Sequence, residues 1–264
     1  MKIAFIGAGN MAGAIIGGMC CGDFAACDIA AYDIDTAKTQ ALAEQWNIQA
    51  AATAKEAIEN ANAVVLAIKP QMFPSVLPSL CDAIKQSGAL VVSIAAGKTL
   101  ADIAALLDDT TPIVRVMPNI SATVGAAVSA YVGNALVTDE QKQLVASIFD
   151  AVGTSMEVEE KLFPVFTAIA SCSPAFTLMY INALAQAAVK HGIPKAKALE
   201  IASQAVLGTA VLLQETGTHP HVLMDAVCSP GGTTIEGVCA LEREGLESAI
   251  EAAVEATLEK DKKL

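Results

Sequence analysis

The sequence predicts an α/β protein with a doubly wound, mainly parallel sheet in its first half and an all-α domain in its second. Short, nearly continuous apolar runs alternate with helical patterns in the first half, as in a parallel sheet that is covered on both faces. After about Gly153 the strand pattern stops and helical periodicity continues towards the end of the chain. We therefore expect two domains, residues 1–155 and residues 156–264.

The predicted strands of the first half are short runs rich in Val, Ile and Ala, which suit burial between two helical layers. They are Ile3–Ile6, Ile29–Tyr32, Val64–Ile68, Leu90–Ile94 and Ile113–Val116, with Val124–Val132 as a further strand. Helical patterns occupy the segments between and after them: Asn10–Cys20, Ala37–Trp46, Ala54–Asn60, Phe73–Lys85, Leu100–Leu107 and Asp139–Ala151. This regular alternation predicts a crossover helix after each strand.

The second half shows only helical periodicity. The predicted helices are Leu162–Ser171, Pro174–His191, Lys195–Gln214, Val222–Val227 and Ile235–Leu258. Pro174 and Pro194 stand where prolines of a first helical turn are tolerated. These helices are rich in Ala and Leu and are apolar on more than one face, so we expect a homodimer or a multiple of dimers to cover them.

Composition and charge exclude several classes of function. A net charge of -12 argues against electrostatic capture of nucleic acid or of an anionic membrane. The seven cysteines have neither zinc-ligand nor disulfide-framework spacing, so we expect reduced thiols in a cytoplasmic protein with no metal site. The histidine pair His219 and His221 lacks a third ligand that would complete a metal site.

A glycine-rich motif follows the first predicted strand and opens the first helix. The run Gly7-Ala-Gly9-Asn-Met-Ala12 is a G-x-G-x-x-A fingerprint, which predicts a Rossmann-like domain that binds a dinucleotide. The first glycine permits the tight turn, the second lets a pyrophosphate approach the backbone, and the alanine allows close helix–strand packing. The residues expected to contact the cofactor here are Ile6, Gly7, Gly9, Asn10, Met11 and Ala12.

Further cofactor contacts are expected at the ends of other strands, where ligands bind in open α/β sheets. Asp33 closes the second strand at the position where an acid usually meets a ribose 2′-hydroxyl. Because Asp33 and Asp35 would repel a 2′-phosphate, chemistry alone favours NAD over NADP. The loop Ala67, Lys69 and Pro70 and the residue Asn119 follow two other strands, although a solvated lysine and an Asx turn would explain them too.

The loop Ser229-Pro-Gly-Gly-Thr-Thr234 is the second candidate site. It places two glycines and two hydroxyls before an apolar periodic run, so free backbone N–H groups at a helix start could bind an anion. The alternative is a plain glycine-rich turn with a threonine as the helix N-cap.

These motifs together resemble pyrroline-5-carboxylate reductase. The resemblance rests, in chain order, on Gly7–Ala12, Leu66–Pro70, Val114–Asn119, Gly192–Pro194 and Asp225–Thr234. It implies reduction of 1-pyrroline-5-carboxylate to L-proline with NAD(P)H, the last step of proline biosynthesis, by a Rossmann domain and a helical dimerisation domain. It also implies that Ser229, Gly231, Gly232 and Thr233 hold the substrate carboxylate, with Thr234 as the catalytic residue beside the ring nitrogen.

The chain departs from the family pattern at three places. The usual Ser-Gly-Ser-Gly-Pro reads Ala170-Ser-Cys-Ser-Pro174, which leaves the roles of Ser171 and Cys172 open, and the usual Pro-Asn-Thr-Pro reads Pro118-Asn-Ile-Ser121. The family commonly prefers NADPH, whereas Asp33 argues for NADH. On the resemblance we rank NADP first and keep NAD as the second cofactor.

Two other functions fit parts of the pattern. A β-hydroxyacid dehydrogenase shares the two-domain plan but needs a catalytic lysine on the long helix, where Lys190 is the only lysine and no asparagine-containing motif surrounds it. A nucleotide-sensing regulator would have the first domain but no need of the Ser229–Thr234 loop.

Overall fold

The computed structural model describes residues Met1–Lys262 and contains two compact units. The first unit ends at Ser171 and the second begins at Cys172. Residues 156–171 therefore belong to the first unit, where they are bonded to the sheet through their side chains and backbone. A functional division after residue 155 stays a prediction.

The first unit is built on one eight-stranded sheet with the order β3-β2-β1-β4-β5-β6-β7-β8. The strands are β1 Ile3–Ile6, β2 Ile29–Tyr32, β3 Gln49–Ala50, β4 Ala63–Leu66, β5 Leu90–Ser93, β6 Ile113–Met117, β7 Ala127–Gly133 and β8 Gly153–Glu157. Only β7 runs antiparallel to its neighbour β6, and β8 is parallel to β7. The first six strands have the Rossmann order, so the predicted doubly wound sheet is confirmed.

Helices cover both faces of this sheet. They are α1 Asn10–Cys21, α2 Thr36–Trp46, α3 Ala54–Ile58, α4 Phe73–Ser87, α5 Leu100–Ala104, α6 Asp139–Asp150 and α7 Phe163–Phe166. Ile3 and Phe5 point into the core that contains α1 and α6, whereas Ala4 and Ile6 point into the core that contains α3 and α4. Burial on both faces explains why these strands read as continuous apolar runs.

The structure differs from the sequence prediction at three places in this unit. Residues Ile120–Val124 form a 3₁₀ turn, so the predicted strand Val124–Val132 starts only at Ala127. The short strand β3 was not predicted, and β8 lies after the point where strands were expected to stop. Both are polar and largely exposed, and therefore lack the apolar pattern on which the prediction depended.

The second unit is helical. Its helices are α8 Ser173–Lys190, α9 Lys195–Thr216, α10 Pro220–Val227, α11 Thr233–Arg243 and α12 Leu246–Asp261. The single helix predicted over Ile235–Leu258 was wrong, because Gly245 adopts φ +76 and separates α11 from α12. The helices α8 and α9 pack through the small buried residues Ala185, Ala198 and Ala202.

Much of the apolar surface of this unit is exposed in the single chain. Leu178 and Met179 on α8 are 66% and 74% exposed, and Leu207 on α9 is 57% exposed. By length and composition alone, Glu160–Lys190 and Lys195–Thr216 would qualify as membrane spans, with 17% and 11% of their most apolar windows buried. Long apolar helices with exposed faces are equally what a large subunit interface requires.

Candidate active site

The glycine-rich loop after β1 is tight because two strand ends meet there. The Gly7 amide donates to the Tyr32 carbonyl at 2.7 Å, and Gly7 has φ +105. A Cβ at Gly7 would lie 2.6 Å from the carbonyl oxygen of Ala67, which follows β4. Only glycine suits this position, because both the backbone conformation and the neighbouring strand exclude a side chain.

The helix that follows presents an open N-terminus. Gly9 is the N-cap of α1, no side chain caps it, and the first turn of α1 has no acidic residue. A Cβ at Gly9 would meet nothing within 4 Å, whereas Ala12 is only 1% exposed and packs in the core. Uncapped N–H groups and the positive end of the helix dipole favour an anion, so the loop fits a dinucleotide pyrophosphate. Ile6 faces the core with 2% exposure, which leaves only its backbone for a cofactor contact.

Asp33 lies directly after β2 and is bonded to the glycine-rich loop. Its Oδ2 accepts a hydrogen bond from the Ala8 amide at 2.8 Å, and its Oδ1 accepts one from the Asp35 amide at 2.9 Å. The sequence predicted a residue beside the cofactor ribose but did not reveal these two contacts. The carboxylate is therefore held in place by the same loop that would receive the pyrophosphate.

The ends of β4 and β6 supply the other predicted cofactor residues. Lys69 is exposed before the 3₁₀ turn that starts at Pro70, and it makes no ion pair within residues 1–262. Asn119 is only 7% exposed and braces two segments, since its Nδ2 donates to the Ala170 carbonyl at 2.9 Å and its Oδ1 accepts from the Val128 amide at 3.3 Å. These bonds give the Asn119 side chain a different role from the Asx turn that the sequence also allowed.

The segment bonded to Asn119 has unusual helical geometry. Residues Thr167–Cys172 form a π-helix between α7 and α8, and the Ser171 hydroxyl donates to the Pro118 carbonyl at 3.5 Å. Such π-helical turns are rare and occur often at functional sites. The departure from the family pattern at Ala170–Pro174 thus begins within this π-helix, where Ala170 and Ser171 are bonded to the residues that follow β6.

Sequence reasoning missed an ion pair that fixes the start of this segment. The guanidinium of Arg115 donates to Glu160 Oε1 at 3.1 Å and lies 4.4 Å from the centre of the Phe163 ring. Glu160 Oε1 also accepts from the Leu100 amide at 2.7 Å. The Arg115 side chain is only 11% exposed, so this pair is better shielded than the surface pairs of the chain. No local pattern predicts it, because the partners are 45 residues apart.

The second candidate loop joins α10 to α11. The Gly232 amide donates to the Ser229 carbonyl at 2.9 Å and Gly231 has φ +68, which makes residues 229–232 a type II turn. Gly232 is the N-cap of α11 without a side-chain bond, so Thr233 and Thr234 are the first two helical residues and neither is the N-cap. Both threonines are exposed. A threonine as the N-cap is therefore wrong, the helix start has no side-chain cap, and anion binding by this loop stays a prediction.

Other candidate groups have structural roles or lack partners. The Nδ1 atom of His219 accepts from the His221 amide at 3.3 Å and so caps α10. Within residues 1–262 no group of three His, Cys, Asp or Glu side chains could hold a metal ion. Lys190 is the last residue of α8, away from the middle of the helix where a β-hydroxyacid dehydrogenase would carry its lysine.

The fold and the glycine-rich loop define the class: a Rossmann protein with a site for a nicotinamide dinucleotide, followed by a helical unit. Two family models match this chain. The model described as "Pyrroline-5-carboxylate reductase dimerisation" matches residues 160–264, and the model described as "NADP oxidoreductase coenzyme F420-dependent" matches residues 2–97. A pyrroline-5-carboxylate reductase of Escherichia coli is 41% identical, with 100% of this chain and 98% of that protein covered.

Solved structures agree with this result. The pyrroline-5-carboxylate reductase of Streptococcus pyogenes is 39% identical and has a TM-score of 0.86, with 100% of this chain and 99% of that chain covered. The Plasmodium falciparum reductase with NADP bound is 27% identical, also with a TM-score of 0.86, over 100% of this chain and 97% of that one. The chain belongs to the pyrroline-5-carboxylate reductase family.

Proposed function

We propose that this protein reduces 1-pyrroline-5-carboxylate to L-proline with NAD(P)H, as its family membership implies. The observation that carries the proposal is the Ser229–Thr234 loop, where an uncapped helix N-terminus and two exposed hydroxyls stand together. Neither a dinucleotide sensor nor a hydroxyacid dehydrogenase requires that arrangement. The substrate combines the two groups that this loop would serve, a carboxylate and a ring nitrogen.

The backbone of the loop is suited to the substrate carboxylate. The amides of Thr233 and Thr234 lie in the first turn of α11, where they have no carbonyl partner within the helix. The turn favours a glycine at position 231, where φ is +68, and a Cβ at Gly232 would displace the Ser229 hydroxyl. We assign Ser229, Gly231, Gly232 and Thr233 to carboxylate binding, with the helix dipole adding to the attraction.

Thr234 is assigned to the ring nitrogen. Its hydroxyl can hydrogen-bond the nitrogen and hold its proton while the imine carbon is reduced. A nicotinamide cofactor would supply the hydride that the imine carbon accepts, and the Thr234 hydroxyl would hold the nitrogen as it gains the electron pair of the C=N bond. Because the imine can arrive already protonated from solution, the reaction needs orientation more than a general acid.

Cofactor binding is assigned to the loops at the carboxyl ends of β1, β2, β4 and β6. The pyrophosphate is assigned to the glycine-rich loop and the N-terminus of α1. Lys69, which makes no ion pair within residues 1–262, follows β4, the strand next to β1 in the sheet. The full set of proposed cofactor residues is Ile6, Gly7, Gly9, Asn10, Met11, Ala12, Asp33, Ala67, Lys69, Pro70 and Asn119. Among these, Asn119 is assigned mainly a positioning role, because both the nitrogen and the oxygen of its side-chain amide are already hydrogen-bonded within the protein.

We further propose that the protein assembles as a homo-oligomer in the cytoplasm. A homodimer, or a multiple of dimers, would cover the exposed apolar faces of α8 and α9 through the dimerisation region. All seven cysteines are free, which agrees with a reducing cytoplasm. Light scattering over a range of dilutions and fractionation of cells that produce the protein test these two points.

Comparison of two substrates tests the assignment of the loop. We expect rapid NAD(P)H oxidation with 1-pyrroline-5-carboxylate and very slow oxidation with 1-pyrroline, which has the same imine but no carboxylate. The difference should lie in kcat/KM, because the carboxylate contacts bind and orient the ring. Equal turnover of the two imines would remove the basis for assigning the loop to a carboxylate.

A further inference from the structure

The segment that follows β2 carries two negative charges beside a site that receives a nucleotide. Asp33 and Asp35 place two carboxylates within three residues, and Ile34 between them is 89% exposed. The nearest cation in the segment is Lys38, and its Nζ lies 3.6 Å from Asp35 Oδ2. The ammonium group is therefore already paired, and the segment from Asp33 to Lys38 keeps a net negative charge.

The position of this segment decides which dinucleotide it can accept. In a Rossmann sheet the end of the second strand lies beside the adenosine ribose, where a carboxylate accepts from a 2′-hydroxyl and an arginine accommodates a 2′-phosphate. Asp33 is fixed at that place because it accepts from the Ala8 amide at 2.8 Å, within the pyrophosphate loop. Each carboxylate oxygen can accept a second hydrogen bond, so these contacts leave acceptor capacity for a hydroxyl.

Asp35 adds to the same effect while serving the fold. Its Oδ1 accepts from the Ala37 amide at 3.3 Å and caps α2, so its charge is held at this end of the helix. A 2′-phosphate would bring close to two negative charges towards both carboxylates. The exposed Ile34 offers neither a cation nor a donor side chain to offset that repulsion.

We propose that Asp33 and Asp35 make this chain select NADH over NADPH. The inference rests on the proposed function only in that the first unit binds a nicotinamide dinucleotide. It reverses the ranking that the family resemblance favours, and it follows from two carboxylates and one paired lysine at the position that reads the ribose.

Equilibrium binding tests the selectivity without turnover. Titrating the purified protein with NADH and with NADPH, with nicotinamide fluorescence as the readout, gives a Kd for each. We expect NADH to bind about tenfold more tightly or better at low salt, and the ratio to narrow as salt screens the charges. Equal affinities, or tighter binding of NADPH, would overturn the proposal.

Three variants locate the effect. Asp35→Ser keeps an N-cap hydroxyl but removes a charge, Asp33→Asn keeps the side-chain shape, and Ile34→Arg adds a cation at an exposed position. Each variant should lower the ratio of the Kd for NADPH to the Kd for NADH severalfold. In Asp35→Ser and Ile34→Arg this should occur chiefly because NADPH binds more tightly. The control is Asp109→Ser, which removes one exposed charge before the start of β6, four strands away from β2 in the sheet, and should leave the ratio of the two Kd values unchanged.

The outcomes separate this inference from the proposed function. If Asp35→Ser and Ile34→Arg leave the ratio at its wild-type value, or change it no more than Asp109→Ser does, these residues do not set the selectivity. A protein that prefers NADH in binding but reduces no 1-pyrroline-5-carboxylate would contradict the proposed function and support the inference. A protein that reduces this imine but binds NADPH more tightly than NADH would support the proposed function and contradict the inference.

Discussion

Replacing Thr234 with valine separates a catalytic hydroxyl from a structural one. Thr234 is the second residue of α11, it is exposed, and the N-cap of the helix is Gly232. Valine has nearly the same volume, the same branching at Cβ and a similar helix propensity. The Thr234→Val variant therefore loses one hydroxyl and little else.

The size of the two expected effects differs sharply. A hydrogen bond to a charged group contributes about 1.5–3 kcal/mol, which corresponds to a loss of about ten- to a hundredfold in kcat/KM. The free energy of unfolding should change by less than about 0.5 kcal/mol, because an exposed side chain that caps nothing contributes little to stability. The hydroxyl survives in Thr234→Ser, so that variant should keep most of the activity.

The assay measures kcat/KM with 1-pyrroline-5-carboxylate and the free energy of unfolding for each variant. Thr233→Val is the matched control, since Thr233 is also exposed and its proposed contact is made by the backbone amide, which valine retains. Full turnover of Thr234→Val would refute the catalytic assignment. An equal loss in Thr233→Val would show that the loop, and not the Thr234 hydroxyl, was disturbed.

Further predictions concern the cofactor loop, the shielded ion pair and an exposed carboxylate. Gly9→Asp should abolish NAD(P)H binding in a fluorescence titration of a folded protein, because a carboxylate would occupy the open space at the N-terminus of α1; unchanged affinity would exclude the loop as the pyrophosphate site. Glu160→Ala leaves the Arg115 guanidinium without its carboxylate and should cost about 2–4 kcal/mol in chemical denaturation, whereas Glu159→Ala, at an exposed pair, should cost less than about 0.5 kcal/mol; equal costs would contradict the shielding argument. Hydrogen bonds from Lys85 and, to a lesser extent, from Thr110 hold the pKa of the Asp108 carboxyl well below its usual range. The ionised carboxylate therefore stabilises the fold above about pH 4, and this stabilisation is lost as the pH falls further. The thermal midpoints of wild type and Asp108→Asn should therefore differ at neutral pH and converge in acid, and a constant difference would contradict this sign.

The parallel sheet could be predicted because its strands are buried on both faces. Such strands must be continuously apolar, and the bounds of β1, β2, β4, β5 and β6 agree with the predicted ones within two residues. The strand β8 has no such pattern, because it is an exposed edge strand. It forms where Gly153 lets two strands approach, since a Cβ there would collide with the Ala127 backbone.

The candidate site was predictable where it depends on glycine and on strand ends. The loops with Gly7 and Gly231 need backbone conformations that favour glycine, so the residue type itself signals the turn. Contacts between distant segments carry no such signal. The bond from Asn119 to the Ala170 carbonyl joins residues 51 apart, and it depends on a π-helix that no simple periodicity predicts.

Following the transferred hydride tests most directly whether this protein reduces 1-pyrroline-5-carboxylate. Purified protein is mixed with 1-pyrroline-5-carboxylate and NADH or NADPH that carries deuterium at the transferable position, and both products are quantified. We expect one oxidised cofactor for each L-proline formed, with deuterium on the ring carbon that was the imine carbon. Cofactor oxidation without labelled proline, or no oxidation with either cofactor, would contradict it.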